Sequence, residues 1–156
     1  MNRIRHVERR RTCLAYSPGG HLSELERALE GIDFPDCFHV TFGGGRPTRL
    51  PARRVYSLCH PRRSIARTLL NAFQALLLLA LERPRLVIST GADVAVPCVV
   101  LSKLVGARVV YIETAAALEG SLSGRICYRV ADLFVAQWPE QRAVYPRAVI
   151  ASGPLL

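Results

Sequence analysis

The chain has 156 residues, 50% of them apolar and 21% charged, which excludes a disordered polypeptide and suits one domain with a buried core. Its formal net charge is +9, and arginine supplies 20 of the 21 basic residues. Arginine pairs bidentately with phosphate and carboxylate, so the charge fits either a generally basic surface or a phosphate-bearing partner. Nucleic acid is disfavoured as that partner, because only Tyr56 stands among the second cluster of arginines and no nucleic-acid-binding signature occurs.

In chain order, residues 1–10 read as a basic arm with Arg3, Arg5, Arg9 and Arg10, and residues 11–156 as a single domain. No apolar segment follows the arm's charges before Cys13, so no signal peptide is expected. "TCLAYS" (12–17) predicts a strand and His21 to Glu30 a helix. "CFHVTF" (37–42) is a second strand, closed by Gly43, Gly44 and Gly45, and "RRVYSL" (53–58) a short third one. A long helix from Arg62 to Glu82 stops before Pro84. "RLVIST" (85–90) is a buried strand, and "GADVAVP" leads into a helix that reaches Val105, with Gly106 as its stop. "ARVVYIE" (107–113), "DLFVAQ" (132–137) and "AVIAS" (148–152) are strands, with a helix over 121–131.

Apolar strands alternating with helices predict a doubly wound α/β domain, a Rossmann-like parallel sheet with helices on both faces. Ligands of such sheets bind outside the carboxyl ends of the strands. The segments to read for chemistry are therefore 17–21, 43–46, 89–93 and 113–121. The five cysteines stand singly, without C-x-x-C or zinc spacing with histidine, which points to a reducing cytosol and to no metal.

The long helix carries Arg63, Arg67, Asn71 and Gln74 as one polar stripe, leaving Ile65, Leu69, Ala72, Phe73, Leu76 and Ala80 to face the sheet. Residues 75–81, "ALLLLAL", are apolar all round. Arg67, Asn71 and Gln74 interrupt what would have to be about 20 apolar residues in a membrane span. Two readings remain: deeper burial at the carboxyl end, or an exposed membrane surface made by Leu77, Leu78 and Leu81 with Arg63 and Arg67.

In Ser17-Pro18-Gly19-Gly20-His21, glycines after a first strand let backbone approach a ligand, and the helix that follows points free N–H groups at it. The spacing is not G-x-G-x-x-G, so no dinucleotide fingerprint is present. His21 stands where the helix dipole disfavours imidazolium, so it is either a neutral general base or merely a helix-capping residue. Thr90-Gly91-Ala92-Asp93 repeats the strand–glycine–helix logic, with ordinary capping as the alternative. Glu113 ends an apolar strand and either points into the crevice or caps the next segment.

These segments, with "RPRLVISTGADVAVP" (83–97), "YIETAA" (111–116) and "SLSGRICYRVADLFVAQWPE" (121–140), resemble the acceptor-side subunit of two-chain glycosyltransferases. That family includes the membrane-anchoring subunit of the dolichol-pathway N-acetylglucosaminyltransferase and the PssD-type subunits of bacterial exopolysaccharide synthesis. It is similar in turn to the N-terminal half of MurG-like GT-B enzymes. The resemblance implies an inverting transfer of a sugar, of the N-acetylglucosamine or glucuronic acid class, from a UDP-sugar to a polyprenyl-pyrophosphate-linked acceptor. A separate donor-binding chain would hold most of the UDP-sugar, and no other cofactor is implied.

Carried over by position, Gly19, Gly20, Gly91 and Ala92, with Thr90 beside them, would face the acceptor diphosphate. His21 and Glu113 would be catalytic, His21 deprotonating or positioning the acceptor hydroxyl and Glu113 orienting His21 or the acceptor sugar. MurG-like proteins have a further glycine where Ala92 stands, and their Asn beyond the acidic residue is replaced by Ala115 or Ala116. The expected location is the cytoplasmic face of the plasma membrane, peripherally bound to anionic lipid. A non-catalytic membrane recruiter of a glycosyltransferase partner is the alternative.

Overall fold

The computed structural model describes residues 6–45, 47–153 and 155; Arg3, Arg5 and Arg46, which belong to the expected basic clusters, lie outside the described residues. The strands are β1 (His6–Val7), β2 (Thr12–Ala15), β3 (Ile32–Asp33), β4 (Cys37–Thr41), β5 (Arg54–Ser57), β6 (Leu86–Ser89), β7 (Arg108–Ile112), β8 (Leu133–Ala136) and β9 (Val149–Ile150). The helices are α1 (Gly20–Ala28), α2 (Ile65–Glu82), α3 (Val96–Leu101) and α4 (Leu122–Cys127), with 3₁₀ turns at Ser102–Val105 and Pro139–Ala143. The short strands β1 and β3 pair in parallel beside the main sheet. Two-residue strands carry no readable alternation, and β1 lies in the stretch expected to be part of the arm.

Seven strands form one sheet in the order β5-β4-β2-β6-β7-β8-β9, with every neighbouring pair parallel. From β2 the chain moves outward through β4 to β5, then returns to the other side of β2 to lay down β6 and the strands beyond. The order reverses between β2 and β6, which is where a doubly wound sheet opens a crevice at its carboxyl edge.

Period-two alternation sends successive side chains of β2 to opposite faces. Leu14 and Tyr16 pack with Ile88 against Leu22, Leu25 and Leu29 of the α1 side. Cys13 and Ala15 pack with Val87, Val109 and Phe134 against Leu79 of α2, Val99 of α3 and Cys127 of α4. Both faces are thus covered, and central strands buried on both faces need no polar residue, which is why they read as continuous apolar runs.

Helix α2 corrects the expected amphipathicity. Its buried residues are Asn71, Ala75, Leu78, Leu79 and Glu82, while Ile65, Leu69, Phe73 and Leu76 face outward. The reason is polar. Asn71 Nδ2 donates to the carbonyls of Cys59 (2.7 Å) and Val94 (3.3 Å), and Gln74 Oε1 accepts from Cys59 N (2.7 Å). Those bonds fasten the loop after β5 and the approach to α3, and so turn the Asn71 and Gln74 part of the stripe inward. Leu78 lies seven residues beyond Asn71 on the same face and is only 6% exposed, so it is no part of an outer surface. Leu77 and Leu81 remain exposed, as do Arg63 and Arg67. By length and composition alone α2 could cross a membrane; here one face of it is docked on the domain.

Candidate functional site

The crevice is built by the segments that leave β2, β6 and β7. Helix α1 starts at Gly20 after Gly19, whose φ of 141° is open only to glycine, and no side chain caps the helix. A Cβ on Gly19 or on Gly20 would meet nothing within 4 Å, so both glycines border open space. His21 follows in the first turn, with 28% of its side chain exposed.

Thr90 and Gly91 take different places from those expected of diphosphate ligands. Thr90 is fully buried, and its hydroxyl donates to the carbonyl of His21 at 2.7 Å, tying the first turn of α1 to the end of β6. The Gly91 N–H is already donated to Ser89 Oγ at 3.0 Å. A Cβ on Gly91 would stand 2.4 Å from Tyr111 Oη and 3.7 Å from His21 Cε1, and its φ is 102°. Packing and backbone conformation therefore both require glycine there. Ala92 also has a positive φ, 80°, a conformation that strains a residue with a Cβ by about 1 kcal/mol or more. Its backbone is one that glycine adopts without strain.

Glu113 is corrected as well. It is fully buried, and its carboxylate accepts from Thr114 N (2.9 Å), Ser121 Oγ (2.8 Å), Ser121 N (3.1 Å) and Tyr145 Oη (2.5 Å). Burial, then the bond to Glu113, raises the Tyr145 phenol above its ordinary range and keeps it a donor. Ser121 Oγ in turn caps α4 by accepting from Gly124 N at 2.8 Å. A Cβ on Gly124 would stand 1.8 Å from Glu113 Oε2. The "SLSG" segment is thus the socket of Glu113: the serine supplies donors and the glycine leaves room.

The "AQWPEQ" stretch performs a matching task on the backbone of residues 113–117. Gln137 Nε2 donates to the carbonyl of Glu113 (2.7 Å), and Trp138 Nε1 donates to that of Ala115 (2.8 Å). Gln141 Nε2 donates to the carbonyls of Thr114 (3.0 Å) and Ala117 (2.8 Å). The wall of the crevice beyond β7 is therefore held by buried amides rather than left as a loose loop.

The carboxylate that faces His21 is Glu24, which sequence reading passed over. Its side chain is 3% exposed, and its Oε2 lies 3.7 Å from His21 Nδ1. The separation of three residues along a helix was the available signal, since it places both on one face. Among the described residues, no three His, Cys, Asp or Glu side chains gather to hold a metal ion.

Comparison with known proteins places the fold and the chain. A. baumannii MurG superposes with a TM-score of 0.66 over 92% of this chain and 45% of its own, at 18% identity. The UDP-GlcNAc 2-epimerase of Methanocaldococcus jannaschii superposes at 0.63 over 87% of this chain and 42% of its own, at 12% identity. At these identities the likeness is one of fold, that of one Rossmann-like half of a GT-B protein. In sequence, the human "UDP-N-acetylglucosamine transferase subunit ALG14" is 30% identical over 108 residues, covering 65% of this chain and 50% of that relative. The chain spans about half the length of that curated relative. Residues 49–154 match the family described as "Oligosaccharide biosynthesis protein Alg14 like", a stretch that takes in the socket of Glu113 and the buried amides and begins after the glycine loop. The chain belongs to this Alg14-like family.

Proposed function

We propose that this chain is the acceptor-binding half of an inverting, UDP-sugar-dependent glycosyltransferase whose donor-binding half is a separate chain. The transferred sugar is of the N-acetylglucosamine class, and the acceptor is a sugar linked to polyprenyl pyrophosphate. The observation that carries this reading is His21, set in the first turn of α1 beside two glycines that border open space at the point where the strand order reverses. Family membership supports a sugar-transfer reading. Uncapped N–H groups at the start of α1 suit a diphosphate.

In the proposed mechanism His21 takes the proton of the acceptor hydroxyl. The oxygen forms its bond to the anomeric carbon as the bond from that carbon to the UDP oxygen breaks, and UDP leaves with the electron pair. Glu113 holds the wall of the site and takes no proton. The UDP-sugar is bound mainly by the partner chain.

The same reading puts the chain on the cytoplasmic face of a membrane as a peripheral protein. Helix α2 begins where β5 ends, at the crevice end of the sheet. There Arg62, Arg63 and Arg67 are exposed. Along the outer face follow Ile65, Leu69, Phe73, Leu77 and Leu81, each more than half exposed. An apolar helix face with arginines at one end fits an anionic lipid surface.

The deciding experiment reconstitutes the two chains with UDP-N-acetylglucosamine and a lipid-linked acceptor. His21→Ala lowers transfer by about 10³-fold or more while the fold and partner binding survive. Near-normal turnover by this variant removes His21 from the chemistry. Undiminished transfer by the partner alone, on a soluble acceptor analogue, reduces this chain to a membrane recruiter.

A further inference from the structure

Two buried polar atoms in the first turns of α1 face each other, and neither has a hydrogen-bond partner within ordinary reach: His21 Nδ1 and Glu24 Oε2. They are 3.7 Å apart. The other oxygen of Glu24 is fully engaged. Oε1 accepts from Ala115 N at 2.9 Å, Thr114 Oγ1 at 3.0 Å and Gln137 Nε2 at 3.4 Å. Three donors from the β7 and β8 ends thus hold the carboxylate, and the oxygen they leave over is aimed at the imidazole. Glu113 is unavailable for this task, because both of its oxygens are committed to Ser121, Thr114 and Tyr145.

A neutral imidazole carries one N–H and one lone pair, and the partner of one nitrogen decides which is which. A carboxylate facing Nδ1 draws the proton there and leaves the lone pair on Nε2. Nδ1 is buried while the side chain is 28% exposed, so the exposure lies on the rest of the ring. We infer that Glu24 is the positioning residue of this site: it holds His21 as the Nδ1–H tautomer, turns Nε2 toward the crevice as the acceptor of the hydroxyl proton, and stabilises the imidazolium that forms. The inference rests on the reading of His21 as the base. In the step itself the acceptor O–H bond breaks and its proton goes to Nε2. The acceptor oxygen bonds the anomeric carbon, and the electron pair of the bond from that carbon to the UDP oxygen leaves with UDP. The Nδ1 proton stays between His21 and Glu24, as expected when a carboxylate orients a catalytic histidine without itself becoming protonated.

The test is Glu24→Gln in the full chain. The amide oxygen can keep the three donors now bound to Oε1, while the NH₂ group takes the place of Oε2. A donor facing Nδ1 requires a lone pair there and moves the ring proton to Nε2, the wrong tautomer for a base in the crevice. Long-range ¹H–¹⁵N spectra of the His21 ring report this in the isolated chain, with no need of partner or substrate. The expected result is Nδ1–H in the wild type and Nε2–H in the variant. In the reconstituted pair, kcat then falls by about 10²-fold or more with acceptor KM within about threefold. A purely structural Glu24 would shift the melting temperature and leave the tautomer alone. Nε2–H in the wild type, or Nδ1–H retained in the variant, overturns the inference, and the wild-type spectrum decides the matter even if the variant does not fold. A switched tautomer with unchanged kcat overturns instead the reading of His21 as the base.

Discussion

The crevice wall beyond β7 and the outer face of α2 invert the usual burial pattern in opposite directions. In the first, Glu113, Gln137 and Gln141 are buried, with Glu24 of α1 buried against them. In the second, Ile65, Leu69, Phe73, Leu77 and Leu81 face out. Burying a carboxylate or amide is unfavourable unless its hydrogen bonds are made, and in the wall nearly all are made, from donors on three separate segments. Such a network holds its groups in one arrangement, which suits a site that must be set before its substrate arrives. Exposed leucines carry no such constraint. Their free-energy gain is realised only when something covers them. One region has its interactions made within the chain, and the other leaves its apolar face uncovered by it.

The largest expected effect breaks the wall. Gly124→Ala forces a Cβ to 1.8 Å from Glu113 Oε2 and 2.6 Å from Tyr145 Oη. The carboxylate must leave its socket or the helix must shift, at about 3–5 kcal/mol, read as a fall in melting temperature of roughly 10 °C. A melt unchanged within about 2 °C would show that the socket is not rigid.

The next asks whether buried polar groups elsewhere behave like the wall. His39 in β4 is fully buried between Tyr16 Oη, 3.0 Å from Nδ1, and Cys37. Burial pushes its imidazole from the ordinary 6.5 down to about 4. The unfolded chain therefore binds a proton that the folded chain refuses between those values, so this contribution is complete above pH 6.5 and is lost as the pH falls toward 4. The loss is about 3 kcal/mol, measured by urea unfolding at pH 7 and at pH 4. His39→Gln removes the titration and flattens the profile over that window.

The smallest effect on stability sharpens the contrast most. Phe73→Glu with Leu77→Glu changes unfolding free energy by less than about 0.5 kcal/mol, yet abolishes flotation with anionic vesicles. Leu78→Glu, one residue farther along α2, unfolds the domain instead. Equal flotation by the wild type and the double variant, or none by either, would free this face from the membrane role.

Most of the fold was legible because its signals are local. Apolar runs end at glycines, helices stop before Pro84 and at Gly106, and strand–helix alternation admits few topologies. The limits of legibility lie where a side chain chooses between partners far along the chain. Glu113 and Glu24 are both acidic residues near a crevice. Helical spacing puts Glu24 on the face of His21, but the donors that hold its carboxylate there come from Thr114, Ala115 and Gln137. Asn71 and Gln74 look like a solvent stripe until the loop at Cys59 and the carbonyl of Val94 take their hydrogen bonds.

By itself, the sequence determined a parallel doubly wound domain with His21 at the head of its first helix, through periodicity and turn chemistry confined to neighbouring residues. Only the tertiary structure decided that one oxygen of Glu24 is clamped and the other left toward His21, that Glu113 is sealed in its own socket, and that α2 turns Asn71 and Gln74 inward. Each depends on strand register and helix packing, which bring Glu24 against an amide 91 residues away. The free energy of burying a charge is settled largely by donors that the fold brings to it from elsewhere in the chain.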